Sequence, residues 1–345
     1  MKTSFGPIVI GAQAIDAVDQ WWIEFGESVS SVHILVDSNT LQVCAHPFLA
    51  ALPHFPEVQF LEVDPGEESK SPEVLAQLWV ALAEQGADRK SLLIGLGGGV
   101  VTDITGMLSA TFMRGIRHML VPTSLLAMVD AAIGGKNGIN VMGAKNLAGT
   151  FKASELTAVW PAFLETLPED DWRQGLAEAI KHALLAGGDL WASAKSWQSA
   201  DQIMADLELL IQVKVDVVEA DATEQGLRKQ LNLGHTIGHA LEAVTGGVIP
   251  HGDAVAAGIW MECWIAAQRG WLTDQERQSV HDTIDRHWPR LTWEGNLWTW
   301  MQLDKKREAD EVYMSLLVGI GQGAPAVTVQ AEEVQQAIAT YGLRS

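Results

Sequence analysis

Over the first 150 residues, short apolar runs alternate with stretches of helical spacing. SVHILVD (31–37), VQFLEV (58–63), SLLIGLGGG (91–99) and HMLVPT (118–123) are brief, aliphatic and end near turn residues, which predicts strands. Between the second and third, Val74, Leu75, Leu78 and Leu82 share one helical face within residues 72–85. Strand alternating with helix implies parallel βαβ units, so this half is α/β. From about residue 158 the period changes. FLETLPEDDWRQGLAEAIKHALLAG, DQIMADLELLIQVKVDVVEAD and GDAVAAGIWMECWIAAQRG carry apolar positions three and four apart. Pro168 with its acidic neighbours marks a helix start near 166–171. The expected organisation is an α/β domain over 1–158 and an all-α domain over 159–345. No repeat, low-complexity tract or Ser/Gly linker separates them, so tight packing of the two is expected.

Composition narrows the class. Hydrophobic residues make up 48% of the 345 and charged residues 19%, which excludes a disordered, collagen-like or coiled-coil chain. Lys and Arg number 23 against 43 Asp and Glu, a net charge of -20 that repels nucleic acid and anionic lipid. Cys44 and Cys263 form no C-x-x-C pattern and fit a reducing compartment. The first 16 residues lack a cleavable leader pattern, and the longest apolar stretch, 119–135, is broken by Pro122 and Asp130. A cytoplasmic protein is expected. The 14 Trp read as packing residues rather than ligands.

Two features carry chemistry in the α/β half. Gly95, Gly97, Gly98 and Gly99 link an apolar strand to VVTDITGMLSATF, a unit whose backbone N–H groups can approach a pyrophosphate. The spacing is neither G-x-G-x-x-G nor a P-loop, and a plain tight turn accounts for it equally well. From 114 to 152 there are five cations, Arg114, Arg117, Lys136, Lys145 and Lys152, against one acid, Asp130, a net +4. Cations gathered beside glycines in so acidic a chain suggest an anion site rather than a solvated basic face.

The helical half carries histidines. His235 and His239 are four apart on one helix face, and His251 completes three within 17 residues. Glu178, Lys181 and His182 cluster on another helix. Two or three His plus a carboxylate is a catalytic zinc-type ligand set, without the H-E-x-x-H of a metalloprotease. Spacing leaves open which of the four His bind.

In register, GLGGGVVTDITG, TFMRGIRHMLVPTSLLAMVDAAIGGKNGIN, GAKNLAGTF, GLAEAIKHALL, EQGLRKQLNLGHTIGHALE, IPHGDAVAAGI and LDKKREADEVYMSLLVGIG resemble the 3-dehydroquinate synthase family, from about residue 30 to 320. The resemblance implies a Rossmann-like domain, a helical domain and an active site in the cleft between them, in a homodimer. It implies conversion of 3-deoxy-arabino-heptulosonate 7-phosphate to dehydroquinate and phosphate, with NAD regenerated in each turnover and zinc or cobalt as metal. By match to the family's motifs, Glu178, His235 and His251 are metal ligands, His182 is not, and His239 is a neighbouring catalytic His. Lys181, Lys214, Arg228 and Asn232 match residues holding the substrate's carboxylate and hydroxyls. Lys136, Asn146, Lys305 and Arg114 match the phosphate site, with Arg114 of the partner subunit reaching in. Asp130 and Lys145 match residues lining cofactor and substrate. Asp37, Asn39, Glu67, Lys70, Gly98, Gly99, Asp103, Thr123 and Ser124 match NAD contacts.

The chain departs from the family's pattern at Ala131 and Ala132, where relatives often carry Ser, at Thr102 for Gly and at Asn137 for Thr. These bear on fine contacts, not on the metal, carboxylate and phosphate residues. A paralogous sugar phosphate cyclase lacks a carboxylate for Arg228 to hold. A metal-dependent polyol dehydrogenase has no use for the phosphate cluster. A non-catalytic sugar phosphate sensor needs no open metal position.

Overall fold

The computed structural model describes residues 1–304 and 311–342, which form two compact units, Met1–Trp172 and Arg173–Ser345. In the first, strands β1 (Ile8–Ile10), β2 (Val32–Asp37), β3 (Gln59–Val63), β4 (Leu92–Gly97) and β5 (Arg117–Pro122) belong to one parallel sheet. A hairpin of β6 (Lys136–Val141) and β7 (Ala144–Phe151) follows, then β8 (Leu156–Val159). The sheet order is β1-β8-β5-β4-β2-β3. The four runs read as strands are β2, β3, β4 and β5. β4 is buried along its whole length, which is why it is an unbroken apolar run rather than an alternating one. The domain boundary expected at 158/159 falls inside β8, still part of this sheet.

Helices α1 (Gln13–Phe25), α2 (Pro72–Glu84) and α3 (Gly99–Thr111) cover the sheet. α2 starts where its sequence dictates: Pro72 fixes the first turn and the Ser71 side chain accepts from the Val74 N–H at 3.2 Å. α3 lies directly on β4. A Cβ at Gly95 would come within 2.3 Å of Thr105 Oγ1, and one at Gly97 within 2.6 Å of Val101 Cβ. Val101, Ile104 and Leu108 of α3 thereby join Leu35, Leu61, Leu93, Leu75, Leu78 and Leu82 in one core.

The second unit contains α4 (Glu169–Ala186, crossing into it from the first), α5 (Leu207–Ala220), α6 (His235–Val244), α7 (His251–Gln268) and α8 (Asp274–His287). α7 is buried on nearly all sides, as its weak amphipathicity requires, and α6 and α8 pack against it. A capping box sets the start of α8: Thr273 Oγ1 accepts from Glu276 N–H and Glu276 Oε2 from Thr273 N–H. The all-α expectation needs one correction. β9 (Val312–Gly319) and β10 (Gln322–Val329) form an antiparallel hairpin packed on α7, with the apolar run centred on MSLL buried. Trp191, Trp197, Trp260 and Trp288 are core residues. Both cysteines are buried and unpaired. No described helix is long and apolar enough to cross a membrane.

Candidate metal centre and nucleotide edge

In the helical unit, three helices bring one carboxylate and two imidazoles to a point. Glu178 sits midway along α4, His235 opens α6 and His251 opens α7. Glu178 Oε1 lies 3.4 Å from Nε2 of His235 and 3.4 Å from Nε2 of His251. Ligand atoms around a tetrahedral ion with bonds of about 2.0–2.1 Å are roughly 3.3–3.4 Å apart, so the spacing is that of a shared ion. The far ring nitrogens are engaged. His235 Nδ1–H donates to the Leu233 carbonyl at 3.1 Å, and His251 Nδ1 lies 3.3 Å from Glu242 Oε2. These contacts occupy each Nδ1 and leave each Nε2 facing Glu178, the outer-shell pattern of metal-bound histidine. The donor set therefore fits a divalent cation with room for a further ligand.

The electrostatics agree. Burial would raise the Glu178 carboxyl, but the Lys181 ammonium paired with it and His235 outweigh burial and hold it well below the usual carboxylate range. Burial, with Lys181 and His251 adding to it, depresses His235. His251 goes the other way, to about 9, because Glu178 and Glu242 outweigh its burial. Glu178 and Lys181 are both almost wholly enclosed.

The four histidines are placed differently around Glu178. The His239 ring is 5.5 Å from that of His235, edge-on. With Glu242 it forms a second group of possible ligands that borrows His251, but Glu242 meets that ring at Nδ1, away from Glu178. His182, fully buried one turn after Glu178, is outside the Glu178–His235–His251 trio but also stands within ligand spacing of Glu178. Glu242 escaped the sequence reading; its spacing, seven residues after His235 and three after His239, places it on their face.

Lys214 is buried on α5, and Arg228 and Asn232 lie on the 3-10 turn Leu227–Asn232, which packs on α5 and β10. Asp221 fixes this turn by accepting from the N–H groups of Gln225, Gly226 and Arg228 at 3.0, 2.7 and 3.0 Å. The Arg228 guanidinium donates to the Ala222 carbonyl at 2.7 Å.

In the first unit the residues matched to NAD gather at the carboxyl edge of the sheet. The chain runs from β2 out to β3 and returns to β4 on the other side of β2, so β2 and β4 flank a topological switch point. Asp37 ends β2, where its Oδ1 accepts from Thr40 N–H at 2.8 Å, and Asn39 follows in that turn. Gly98 caps α3 without a side chain, leaving first-turn N–H groups to face a ligand. Thr123 N–H donates to the Gly97 carbonyl at 3.0 Å, which keeps Thr123 and Ser124 beside the glycine loop. This edge fits a dinucleotide.

Lys70 is the hub of that region. Its ammonium donates to Asp103 Oδ2 at 2.6 Å and Asn146 Oδ1 at 2.7 Å, and lies 3.6 Å from Glu67 Oε1. Burial alone would depress it, but Asp103 and Glu67 prevail and its pKa is raised. A cavity of 340 Å³ opens beside Glu67, Lys70 and Asn140.

The cation island is partly dispersed. Lys152 donates to the Ser109 and Ile116 carbonyls, and Arg117 to Ser28 Oγ at 2.7 Å, so both serve the fold. Lys136 and Lys145 stand on the β6–β7 hairpin, whose register pairs Lys136 with Phe151 and leaves Asn146 beside Asn140, four residues along. Arg114 is exposed in a turn where Met113, Arg114 and Gly115 all have positive φ. Asp130 sits in a π-helical turn, Ala127–Ala131, a feature common at functional sites. Lys305 lies outside the described residues. Among the departures, Asn137 covers Gly106, where a Cβ would fall 1.6 Å from its Oδ1, and the Ala131 methyl lies over Gly99.

A parallel nucleotide-type sheet and, in the helical unit, one carboxylate and two imidazoles at metal-ligand spacing make up the architecture of this chain. Within it, residues 60–174 match the 3-dehydroquinate synthase N-terminal domain and residues 175–307 the 3-dehydroquinate synthase C-terminal domain. The chain is 37% identical over 319 residues to a 3-dehydroquinate synthase of Parabacteroides distasonis, covering 89% of this chain and 90% of that one. It is 40% identical over 288 residues to one of Enterococcus faecalis, covering 81% and 80%. The chain belongs to the 3-dehydroquinate synthase family. Among solved structures, a 2-epi-5-epi-valiolone synthase from Streptomyces hygroscopicus with NAD+ and Zn2+ bound superposes with a TM-score of 0.86 at 25% identity, covering 99% and 98%. A glycerol dehydrogenase of Schizosaccharomyces pombe shares the fold alone, with a TM-score of 0.64 at 14% identity over 99% and 90%.

Proposed function

We propose that this chain converts 3-deoxy-arabino-heptulosonate 7-phosphate to 3-dehydroquinate and phosphate, as a cytoplasmic homodimer using NAD and a zinc or cobalt ion. The observation that carries the reading is the convergence of His235 and His251 on Glu178 Oε1, each at 3.4 Å, in a chain of this family. Bound to that trio, a divalent cation would supply polarisation of adjacent substrate hydroxyls, and NAD would supply a reversible hydride acceptor. The protein's own groups do the rest. Lys181, enclosed beside Glu178, holds and orients a reacting hydroxyl, and His239 is within reach to move a proton. Arg228, backed by Asp221 and Ala222, takes the substrate carboxylate, with Lys214 and Asn232 on its hydroxyls. Lys136, Asn146, Lys305 and Arg114 of the partner subunit hold the phosphate until it leaves. Asp130 and Lys145 line cofactor and substrate; Asp37, Asn39, Glu67, Lys70, Gly98, Gly99, Asp103, Thr123 and Ser124 bind NAD.

The test is phosphate release from this sugar-acid phosphate by the purified protein, with and without NAD and chelator. Release that needs both metal and NAD, yields dehydroquinate and accumulates no NADH is expected. Steady NADH formation would make it a dehydrogenase, and no release from a folded, metal-loaded protein would reject the substrate.

A further inference from the structure

Nothing in the ligand trio itself explains how two helices far apart in sequence bring Glu178 and His251 into register. The contact that does so lies one turn away. Gln174 precedes Glu178 by four residues and so stands on the same face of α4. Its side-chain amide bridges to the start of α7 at both ends: Oε1 accepts from the Gly252 N–H at 2.5 Å, and Nε2 donates to Asp253 Oδ1 at 3.3 Å. The same Asp253 oxygen accepts from Arg173 Nε at 3.1 Å and from Trp288 Nε1 at 3.1 Å. The backbones themselves touch, for a Cβ on Gly252 would come within 2.5 Å of Gln174 Cα.

We infer that Asp253 is a positioning residue for the metal trio, a clamp that locks the first turn of α7, with His251, against the α4 turn that precedes Glu178. Three donors meet one oxygen of this buried carboxylate, which belongs to no ligand group, yet Asp253 is two residues from one ligand and touches the residue one turn before another. Its place in the first turn of α7 also sets its charge favourably against the helix dipole. A side chain that only stabilised the unit would pack anywhere on α7; this one fixes the separation between two ligand-bearing backbones. The inference rests on the metal reading above, and outer-shell partners of this kind typically govern metal affinity by about 10–100-fold.

The test is a Co2+ titration of the chelator-stripped full chain, read by the visible absorption of the bound ion, with thermal midpoints measured in parallel. Wild type that gives no protein-bound Co2+ spectrum would overturn the metal reading itself. Given a wild-type signal, Asp253→Ala is expected to weaken Co2+ about 10–100-fold and to alter the band shape. Asp253→Asn, which keeps an acceptor of the same size, is expected to recover most of the affinity and the wild-type band. Trp288→Phe removes one donor without touching α4 and is expected to lower the thermal midpoint while leaving Co2+ affinity within about threefold. Wild-type affinity and spectrum in Asp253→Ala would overturn the inference, as would equal losses of affinity in Asp253→Ala and Trp288→Phe. Should Asp253→Ala fail to fold, Gln174→Met cuts the same bridge from the α4 side: a loss of Co2+ affinity supports the clamp, and an unchanged affinity and band overturn it.

Discussion

Each unit buries a lysine beside carboxylates, and the two surroundings differ in kind. Around Lys70 the ammonium donates to Asp103 and Asn146 and lies 3.6 Å from the Glu67 carboxylate, so a cation already stands among the acceptors. Around Glu178 an anionic oxygen and two imidazole Nε2 atoms face one another, and without a bound cation the raised His251 takes up a proton there. A network that holds its own cation shapes the edge of a site. Converging acceptors mark where a cation belongs.

If that contrast is sound, the largest effect comes from the acceptor cluster. Glu178→Gln is expected to lower metal affinity by more than about 100-fold, beyond what outer-shell changes do, and to abolish turnover with it. His235→Ala should do the same, and a full metal content in either protein, measured by elemental analysis, would contradict the assignment. Lys70→Met should leave metal content untouched. It strips the cation from Asp103 and Glu67, so we expect NAD to bind roughly tenfold more weakly by fluorescence titration. Since both carboxylates retain some exposure, the stability loss is expected to be only about 1–3 kcal/mol. An unchanged NAD affinity would make Lys70 a purely structural residue.

Arg228→Ala sharpens the comparison within the helical unit. The substrate KM should rise about tenfold or more while NAD affinity stays within about twofold. Equal losses would count against a carboxylate-holding role. The smallest effect concerns a buried histidine outside both clusters. Burial, with Lys152 adding to it, depresses His118 to about 3, and neither ring nitrogen has a hydrogen-bond partner among the described residues. Its folded pKa is below the unfolded value, so the unfolded chain takes up the proton first and stability falls as pH drops from about 6.5 towards 3. His118→Leu should reduce the fall in thermal midpoint over that window by about 2–4 °C. Identical acid profiles would remove His118 from the account.

What the sequence disclosed follows the range of the interactions involved. β4 and α2 are written locally, in an unbroken apolar run and in Ser71–Pro72. The hairpin β6–β7 is not, because GGKNGIN offers neither alternation nor a strong β-former cluster, and β7 is largely exposed. Motif resemblance points to His235 and His251, whereas bare spacing leaves four histidines equal, because where their rings meet depends on three helices. Glu242, Asp221 and Asp253 were silent for the same reason: each acts through a contact with another segment. The cation island was legible as charge, but the carbonyls that claim Lys152 come from α3 and from the residue just before β5, which no count of residues shows.

The most direct test of the central claim is the metal content of wild type and Glu178→Gln after gel filtration in metal-free buffer. The account predicts about one zinc- or cobalt-class ion per wild-type chain and, with the fold intact, nearly none in the variant. Equal metal in the two proteins would place the ion elsewhere and contradict it.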